Sequence, residues 1–375
     1  MLTDPKTQPS PKPVRPSYVR RLWHESRHNT MTLGCHICPD KELCGGLQVR
    51  AALMDCTRFC CDNPTECDQV CRKNPVGFVE RVREIGGFDL NTVPHGKALD
   101  PPFLPASLPV VFHGKRRSIP IATEAVALPL YAMFNRRTGE PRFWSGSALR
   151  AAFLIAPETT ILLTGTDQDP PLERWWSLGE SGRRRIIRAL IGAVVVLATV
   201  PNYSLILNRP RWDDLYAIKR IGLVHYEFLD EGLPGALHIN GRTDTDFRRW
   251  TDYLIKRPEI THIAYEFRTM SGRQETHVEW LVGVARAVGR RLHLIVRGGT
   301  QYFLPLSTAF TNITFLDTTV FMKTVNRQRA YRTRDGGVHW KRHRTKEGAP
   351  LDKLLSENAD TRAQWLSELA AKAAK

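Results

Sequence analysis

The sequence predicts an α/β protein, built as a (β/α)8-type barrel or a closely related parallel β/α fold. From about residue 108, short apolar runs alternate with longer stretches of helical pattern. Most of these runs are continuously apolar, which is typical of parallel strands that are covered on both faces. Because about eight runs alternate with helices, a closed barrel is favoured, and a doubly wound open sheet is the alternative.

The predicted strands follow one another at regular intervals along this region. The first two are joined by a short, proline-rich connection, whereas the later ones are separated by predicted helices. One such helix carries Val278, Leu281, Val282 and Ala285 as a single apolar stripe. The strands are predicted over 109–113, 125–133, 160–164, 194–200, 236–240, 262–267, 292–297 and 313–318, and the helices over 172–190, 212–231, 244–256 and 276–288.

Composition shifts divide the chain into five segments. Residues 1–34 form a basic, flexible arm, residues 35–75 a cysteine-rich module, and residues 76–108 a proline-rich connector. The barrel covers 109–322, and a basic tail with a C-terminal helix covers 323–375. No signal peptide and no membrane span is evident, so we expect a cytoplasmic protein with reduced thiols and no membrane partner.

Positive charge dominates the composition and is concentrated in the tail. The formal net charge is +16, and residues 323–346 hold nine positive side chains against Asp335 alone. Such a segment attracts phosphate backbones, so the sequence predicts a nucleic-acid partner, DNA or RNA. Arg183, Arg184, Arg185 and Arg188 form a second predicted basic patch. The tail residues predicted to contact nucleic acid are Arg327, Arg329, Arg332, Arg334, Lys341, Arg342 and Arg344.

All eight cysteines lie in one short, weakly apolar segment. Four thiolates close a tetrahedral metal shell, so eight could fill two sites and hold this segment together. The spacing does not decide between zinc and an iron–sulfur cluster such as [4Fe-4S]. The predicted ligands are Cys35, Cys38, Cys44, Cys56, Cys60, Cys61, Cys67 and Cys71.

Polar residues follow most of the predicted strands, at the end where β/α folds carry their active sites. Asp167, His238, Glu266 and Asp317 are therefore candidate catalytic groups, because convergent carboxylates and a histidine can serve as acid and base. Each of them could instead cap a helix or pair with an arginine. Arg297 with Gly298 and Gly299 follows the seventh predicted strand, where barrels commonly bind phosphate, although a plain glycine turn fits equally well.

Several motifs recur in order between residues 160 and 320. They are Val200-Pro201-Asn202-Tyr203-Ser204-Leu205, Arg209-Pro210-Arg211-Trp212, Lys219-Arg220, Glu231-Gly232-Leu233 and the turn Arg242-Thr243-Asp244-Thr245-Asp246. In these motifs the chain resembles the bacterial and phage family catalogued as domain of unknown function 4417. The resemblance implies no activity and no catalytic residue.

Three functions fit these patterns. The first is a nucleic-acid-binding barrel protein that acts on DNA or RNA, and it is the one the charge distribution favours. The second is a non-catalytic scaffold in a nucleoprotein complex, with protein subunits docking on the cysteine-rich module or the C-terminal helix. The third is an enzyme that acts on a phosphorylated small molecule through Arg297 and its glycines.

Overall fold

A computed structural model describes residues 81, 83–100, 102–205, 211–268, 274–334, 336–344, 346 and 348–373. The chain divides into one unit of residues 1–88 and 206–216, and a second of residues 89–205 and 217–375. In the first unit, Arg81 pairs with Asp213 and the Tyr216 hydroxyl donates to Glu84. The predicted arm and all eight cysteines lie outside the described residues.

The second unit contains eight parallel strands in the order β1-β8-β7-β6-β5-β4-β3-β2. One bridge, Val110 to Ala127, joins β1 to β2, and the Val111 amide donates to the Ala127 carbonyl at 2.8 Å. The sheet therefore nearly closes, which confirms the barrel and not the open sheet. The strands are β1 Ser107–Pro109, β2 Ala125–Pro129, β3 Thr160–Thr164, β4 Val195–Thr199, β5 Gly235–His238, β6 His262–Glu266, β7 His293–Arg297 and β8 Asn312–Asp317.

Helices follow the strands from β2 onward. They are α1 Gly146–Phe153, α2 Asp169–Trp176, α3 Gly179–Gly192, α4 Arg211–Glu231, α5 Asp244–Ile255, α6 Gln274–Val288, α7 Phe303–Ser307, α8 Thr318–Val325 and α9 Asp352–Ala373. The capping box of Thr243 and Asp246 explains the start of α5. None of the helices among these described residues is both long and apolar enough to cross a membrane.

Three predicted elements differ from the structure by more than two residues. The first strand begins at Ser107, inside the predicted connector, because residues 107–109 pair with β8. The second ends at Pro129, since a 3-10 turn follows it over Leu130–Ala132. The single helix predicted over 172–190 is two helices, and Gly179, with a φ of +68°, stands where the second begins.

The barrel residues alternate between two cores. One cluster takes its members from all eight strands, as Leu162, Ala236, Ala264 and Ile295 illustrate, and it fills the barrel interior. A strand residue next to an interior residue, such as Leu163 beside Leu162, belongs to the larger core that also contains the helices. Successive strand residues face opposite sides of a sheet, so the parity of each position decides which core it joins.

The C-terminal segment is folded and does not form the predicted basic helical tail along its whole length. After α8 the chain forms an antiparallel hairpin of β9 Gln328–Arg332 and β10 Val338–Arg342, and then helix α9. Asn358 on α9 bonds the hairpin, because its side chain accepts from the Ala330 amide at 2.8 Å and donates to the Gln328 carbonyl at 2.8 Å. The predicted C-terminal helix thus packs on a hairpin that the sequence pattern did not indicate.

Candidate active site at the carboxyl ends of the strands

Three of the predicted residues face the barrel interior at one end. His238, Glu266 and Arg297 each lie two positions after an alanine or isoleucine of the interior cluster, on β5, β6 and β7. Because these three strands are adjacent and parallel, their carboxyl ends bring the three side chains to one mouth. The site therefore has a polar layer directly above an apolar one.

Glu266 and Arg297 form an ion pair across β6 and β7. Arg297 Nε lies 2.7 Å from Glu266 Oε2, and the Glu266 side chain is 2% exposed. The two atoms are close but are not aligned for a hydrogen bond. The second carboxylate oxygen accepts from the Arg268 amide at 2.8 Å. Burial raises the pKa of the Glu266 carboxyl, whereas the charge of Arg297 lowers it. The protonation of Glu266 is thus sensitive to anything that changes the charge beside it.

His238 is connected to the loop after β3. Its Nε2 atom shares a hydrogen bond of 3.3 Å with the Thr166 hydroxyl. Burial, and secondarily the charge of Arg297, lowers the pKa of His238 to about 3, so the ring is neutral at neutral pH. Arg297 also reaches this loop, because its Nη1 donates to the Thr166 carbonyl at 3.2 Å. Thr166 therefore lies over the centre of the mouth, between β5 and β7.

The position of Thr166 depends on a glycine. A Cβ added at Gly165 would lie 2.4 Å from the Thr199 carbonyl oxygen, so only glycine allows this loop to pass so close to β4. The Gly165 amide donates to the Thr199 hydroxyl at 2.9 Å, and its carbonyl accepts from Tyr131 at 2.8 Å. Sequence reasoning did not select Thr166 as a site residue. The signal that could have found it is its position four residues after Leu162, an even spacing that places it on the same, interior face of the strand pattern.

The turn after β7 is built from two glycines in left-handed conformation. Gly298 has a φ of +78° and Gly299 a φ of +72°. A Cβ at either would meet Arg268 or the Phe267 ring below 3.0 Å, so tight packing accounts for both glycines. Their amides nevertheless donate no hydrogen bond to another described residue. Arg297 Nη2 likewise bonds none of the described residues. These three donor groups can receive an anion.

Neither aspartate forms a hydrogen bond or an ion pair with His238, Glu266 or Arg297. Asp167 is exposed, accepts from the Gln168 amide at 2.8 Å and lies 3.7 Å from Arg136. Asp317 faces the helices, since its Oδ1 accepts from the Thr319 amide at 2.8 Å at the start of α8. Its Oδ2 accepts from Arg362 Nε at 2.6 Å. Asp317 is therefore placed as a helix cap and ion-pair partner, and not in the mouth.

Neighbouring acids neutralise the patch of Arg183 to Arg188 and only part of the basic tail. Arg183, Arg184, Arg185 and Arg188 contact carboxylates at 2.6–2.8 Å. In the hairpin, Arg329 contacts Glu357 at 2.7 Å and Arg332 contacts Glu368 at 2.5 Å. Arg327 Nη2 donates to the Ala349 carbonyl at 3.5 Å. Arg332 is exposed although it is paired, and the exposed cations of the predicted tail set without a carboxylate partner among the described residues are Arg334, Lys341, Arg342 and Arg344.

Comparisons with known proteins found solved structures that are similar to this chain. No protein-family model and no curated protein matches the chain. One similar solved structure is described as a "putative fructose-1,6-biphosphate aldolase" from Coccidioides immitis, with 12% identity, a TM-score of 0.35, and coverage of 71% of this chain and 88% of that one. Another is a "putative lyase/mutase" from Burkholderia cenocepacia J2315, with 15% identity, a TM-score of 0.34, and coverage of 66% and 85%.

The ion pairs of the patch and tail arginines correct the prediction of a nucleic-acid-binding protein, which is wrong. That prediction assumed that the positive side chains are clustered and unpaired. Instead, carboxylates hold all four arginines of the 183–188 patch and two arginines of the tail. The scaffold alternative shared the premise and is withdrawn with it.

The predicted cysteine ligands cannot be placed, because they lie outside the described residues. Within the described part of the chain, no group of three or more histidine, aspartate or glutamate side chains is arranged to hold a metal ion.

Proposed function

We infer that the protein is an enzyme that acts on a phosphorylated small molecule at the carboxyl end of its barrel. The observation that carries this proposal is the buried Glu266–Arg297 pair, next to a glycine turn with unused amides. Arginine and turn amides are the donors that phosphate oxygens prefer, and this loop position is where barrels commonly bind phosphate.

Each group has a defined role in this proposal. Arg297 Nη2 and the amides of Gly298 and Gly299 hold the phosphate. Glu266 exchanges a proton with the substrate, and His238, being neutral, donates or accepts a hydrogen bond at the reacting oxygen. When a phosphate approaches Arg297, it offsets the positive charge that lowers the pKa of Glu266. Substrate binding therefore favours the protonated carboxyl, so the substrate itself prepares the acid.

The proposal is tested by equilibrium binding of inorganic phosphate and a panel of sugar phosphates. Arg297→Gln removes a charged donor and is expected to weaken binding by about tenfold or more, the loss of one charge-assisted hydrogen bond. Arg248→Gln is the matched control, because Arg248 is an exposed arginine on α5 that contacts Asp244 at 3.5 Å. Equal affinity in the wild type and Arg297→Gln would refute the phosphate site.

Proton exchange is tested separately from binding. For any sugar phosphate that the wild type converts, Glu266→Gln is expected to retain binding and to lose turnover by about a hundredfold or more, in line with the usual contribution of a general acid. Unchanged turnover would remove Glu266 from the chemistry but leave the phosphate site intact.

The cysteine segment remains a separate proposal. Its support is the confinement of eight thiols to residues 35–71, and its expected content is zinc or an iron–sulfur cluster. Elemental analysis of anaerobically purified protein is expected to find zinc or iron, and Cys35→Ser with Cys38→Ser is expected to lower that content. Protein with neither metal would contradict the proposal. Membership of the resembled family and protein partners of this segment or of α9 likewise stay predictions.

A further inference from the structure

A cavity with a mixed polar and apolar lining lies at the end of the barrel opposite the candidate active site. It has a volume of about 510 Å³ and lies at the amino ends of β6, β7 and β8, where Thr261, Leu292 and Asn312 line it. His262 and His293 face it from the interior side, since each lies two positions before a residue of the interior cluster. The barrel thus has a polar layer at each end and an apolar layer between them.

The two histidines form a stacked pair in which one buried ring nitrogen has no hydrogen-bond partner. Their ring centroids are 4.5 Å apart and their planes are inclined by 24°. His293 Nε2 lies 2.8 Å from the Thr314 hydroxyl, and that hydroxyl donates to the Pro105 carbonyl. The Thr314 oxygen must therefore accept from His293, which fixes the proton of His293 on Nε2.

His262 is the partner with the unused nitrogen. Its Nδ1 is 3.0 Å from the Thr261 hydroxyl, whereas its Nε2 is buried and has no hydrogen-bond partner. His262 as a whole is 6% exposed. A buried polar atom without a partner is costly, and His262 is one of the residues that line the cavity, so a ligand bound there can supply the missing partner.

The chemistry of the lining indicates the sign of that ligand. Arg291 lines the cavity, and none of the described residues accepts a hydrogen bond from it or forms an ion pair with it. None of the described lining residues is acidic. A metal ion is disfavoured, because nearly parallel stacked rings cannot direct two in-plane lone pairs at one centre.

We propose that this cavity binds a small organic anion, with a carboxylate or phosphate group held by Arg291 and His262 Nε2. The apolar part of the anion packs on Leu292, Pro102 and Phe103, a side chain that is 78% exposed at the rim. In this arrangement the Thr261 hydroxyl donates to His262 Nδ1, so the ring proton lies on Nε2 and donates a hydrogen bond to the anion. The proposal does not depend on the active site at the other end.

The test is calorimetric titration of the full chain with benzoate, phenyl phosphate and inorganic phosphate. Saturable binding of benzoate or phenyl phosphate is expected, and Arg291→Gln should weaken it about tenfold. Arg286→Gln, which removes an arginine of α6 outside the cavity, is the matched control and should leave the affinity unchanged. Arg297→Gln should also leave it unchanged, so this site and the proposed active site fail independently.

A second readout follows His262 directly. In protein with nitrogen-15 histidine, the ring resonances lost in His262→Gln identify His262, and in the wild type they should shift as the probe saturates. Saturable binding of neither organic probe would overturn the proposal. So would equal affinity in Arg291→Gln and the wild type, or a His262 resonance that does not move.

Discussion

Lowering the pH from 8 to 5.5 is expected to destabilise the fold through four buried histidines. Burial lowers the pKa of His225 and His262 to about 4, and that of His238 and His293 to about 3. The unfolded chain titrates these rings near 6.5. Because the folded pKa values are depressed, the unfolded state binds more protons below about pH 6.5, and stability falls as the pH falls toward 4.

The magnitude follows from the size of these shifts. At pH 5.5 an unfolded histidine is about nine-tenths protonated and a folded one is nearly neutral, so each site costs about 1.4 kcal/mol relative to pH 8. Four sites together cost about 6 kcal/mol, a large part of the stability of an ordinary domain. Glu227 and Glu266 act in the opposite direction, because burial raises the pKa of each carboxyl.

The assay is urea unfolding, followed by tryptophan fluorescence, at half-unit steps of pH. His225→Gln removes one titrating site and should reduce the loss between pH 8 and 5.5 by about 1.4 kcal/mol. His339→Gln, at an exposed position of β10, is the control and should leave the loss as it is. A stability that does not change over this range, or the same loss in His225→Gln as in the wild type, would refute the argument.

Three further predictions concern stability. Arg183→Met should lower the free energy of unfolding by about 3–5 kcal/mol, because it leaves Glu227 buried and unpaired. In urea unfolding, the double variant with Glu227→Leu should recover much of that loss. An Arg183→Met variant as stable as the wild type would contradict this. Asp317→Ala should lower the melting temperature by removing a helix cap and the partner of an α9 arginine, at a cost of about 2–4 kcal/mol, and an unchanged melting temperature would count against both contacts. Gly165→Ala should destabilise the fold by more than about 1 kcal/mol, because its Cβ would meet the backbone of β4. Gly283→Ala, which has open space on α6, should stabilise the fold by up to about 1 kcal/mol. Equal effects of the two variants would show that Gly165 does not need its close approach to β4.

Much of the fold follows from local pattern. A continuous apolar run is sufficient to mark a buried parallel strand, and the third strand has the predicted limits, Thr160–Thr164. The polar ends of the fifth to seventh strands also lie where the pattern placed them, since parallel strands must bring their carboxyl ends together. His238, Glu266 and Arg297 are therefore neighbours for a reason that the sequence contains.

Charge pairing, by contrast, was decided only by tertiary structure. Arg183 meets Glu227 from 44 positions away, and Asp317 meets Arg362 from 45, so no local pattern indicates either contact. The hairpin of the C-terminal segment is also unmarked by apolar alternation, because much of its surface is exposed. The sequence by itself determined the barrel and its polar mouth, which depend on periodicity. Only the folded chain decided which charges remain available to a ligand, because that depends on how the helices pack against one another.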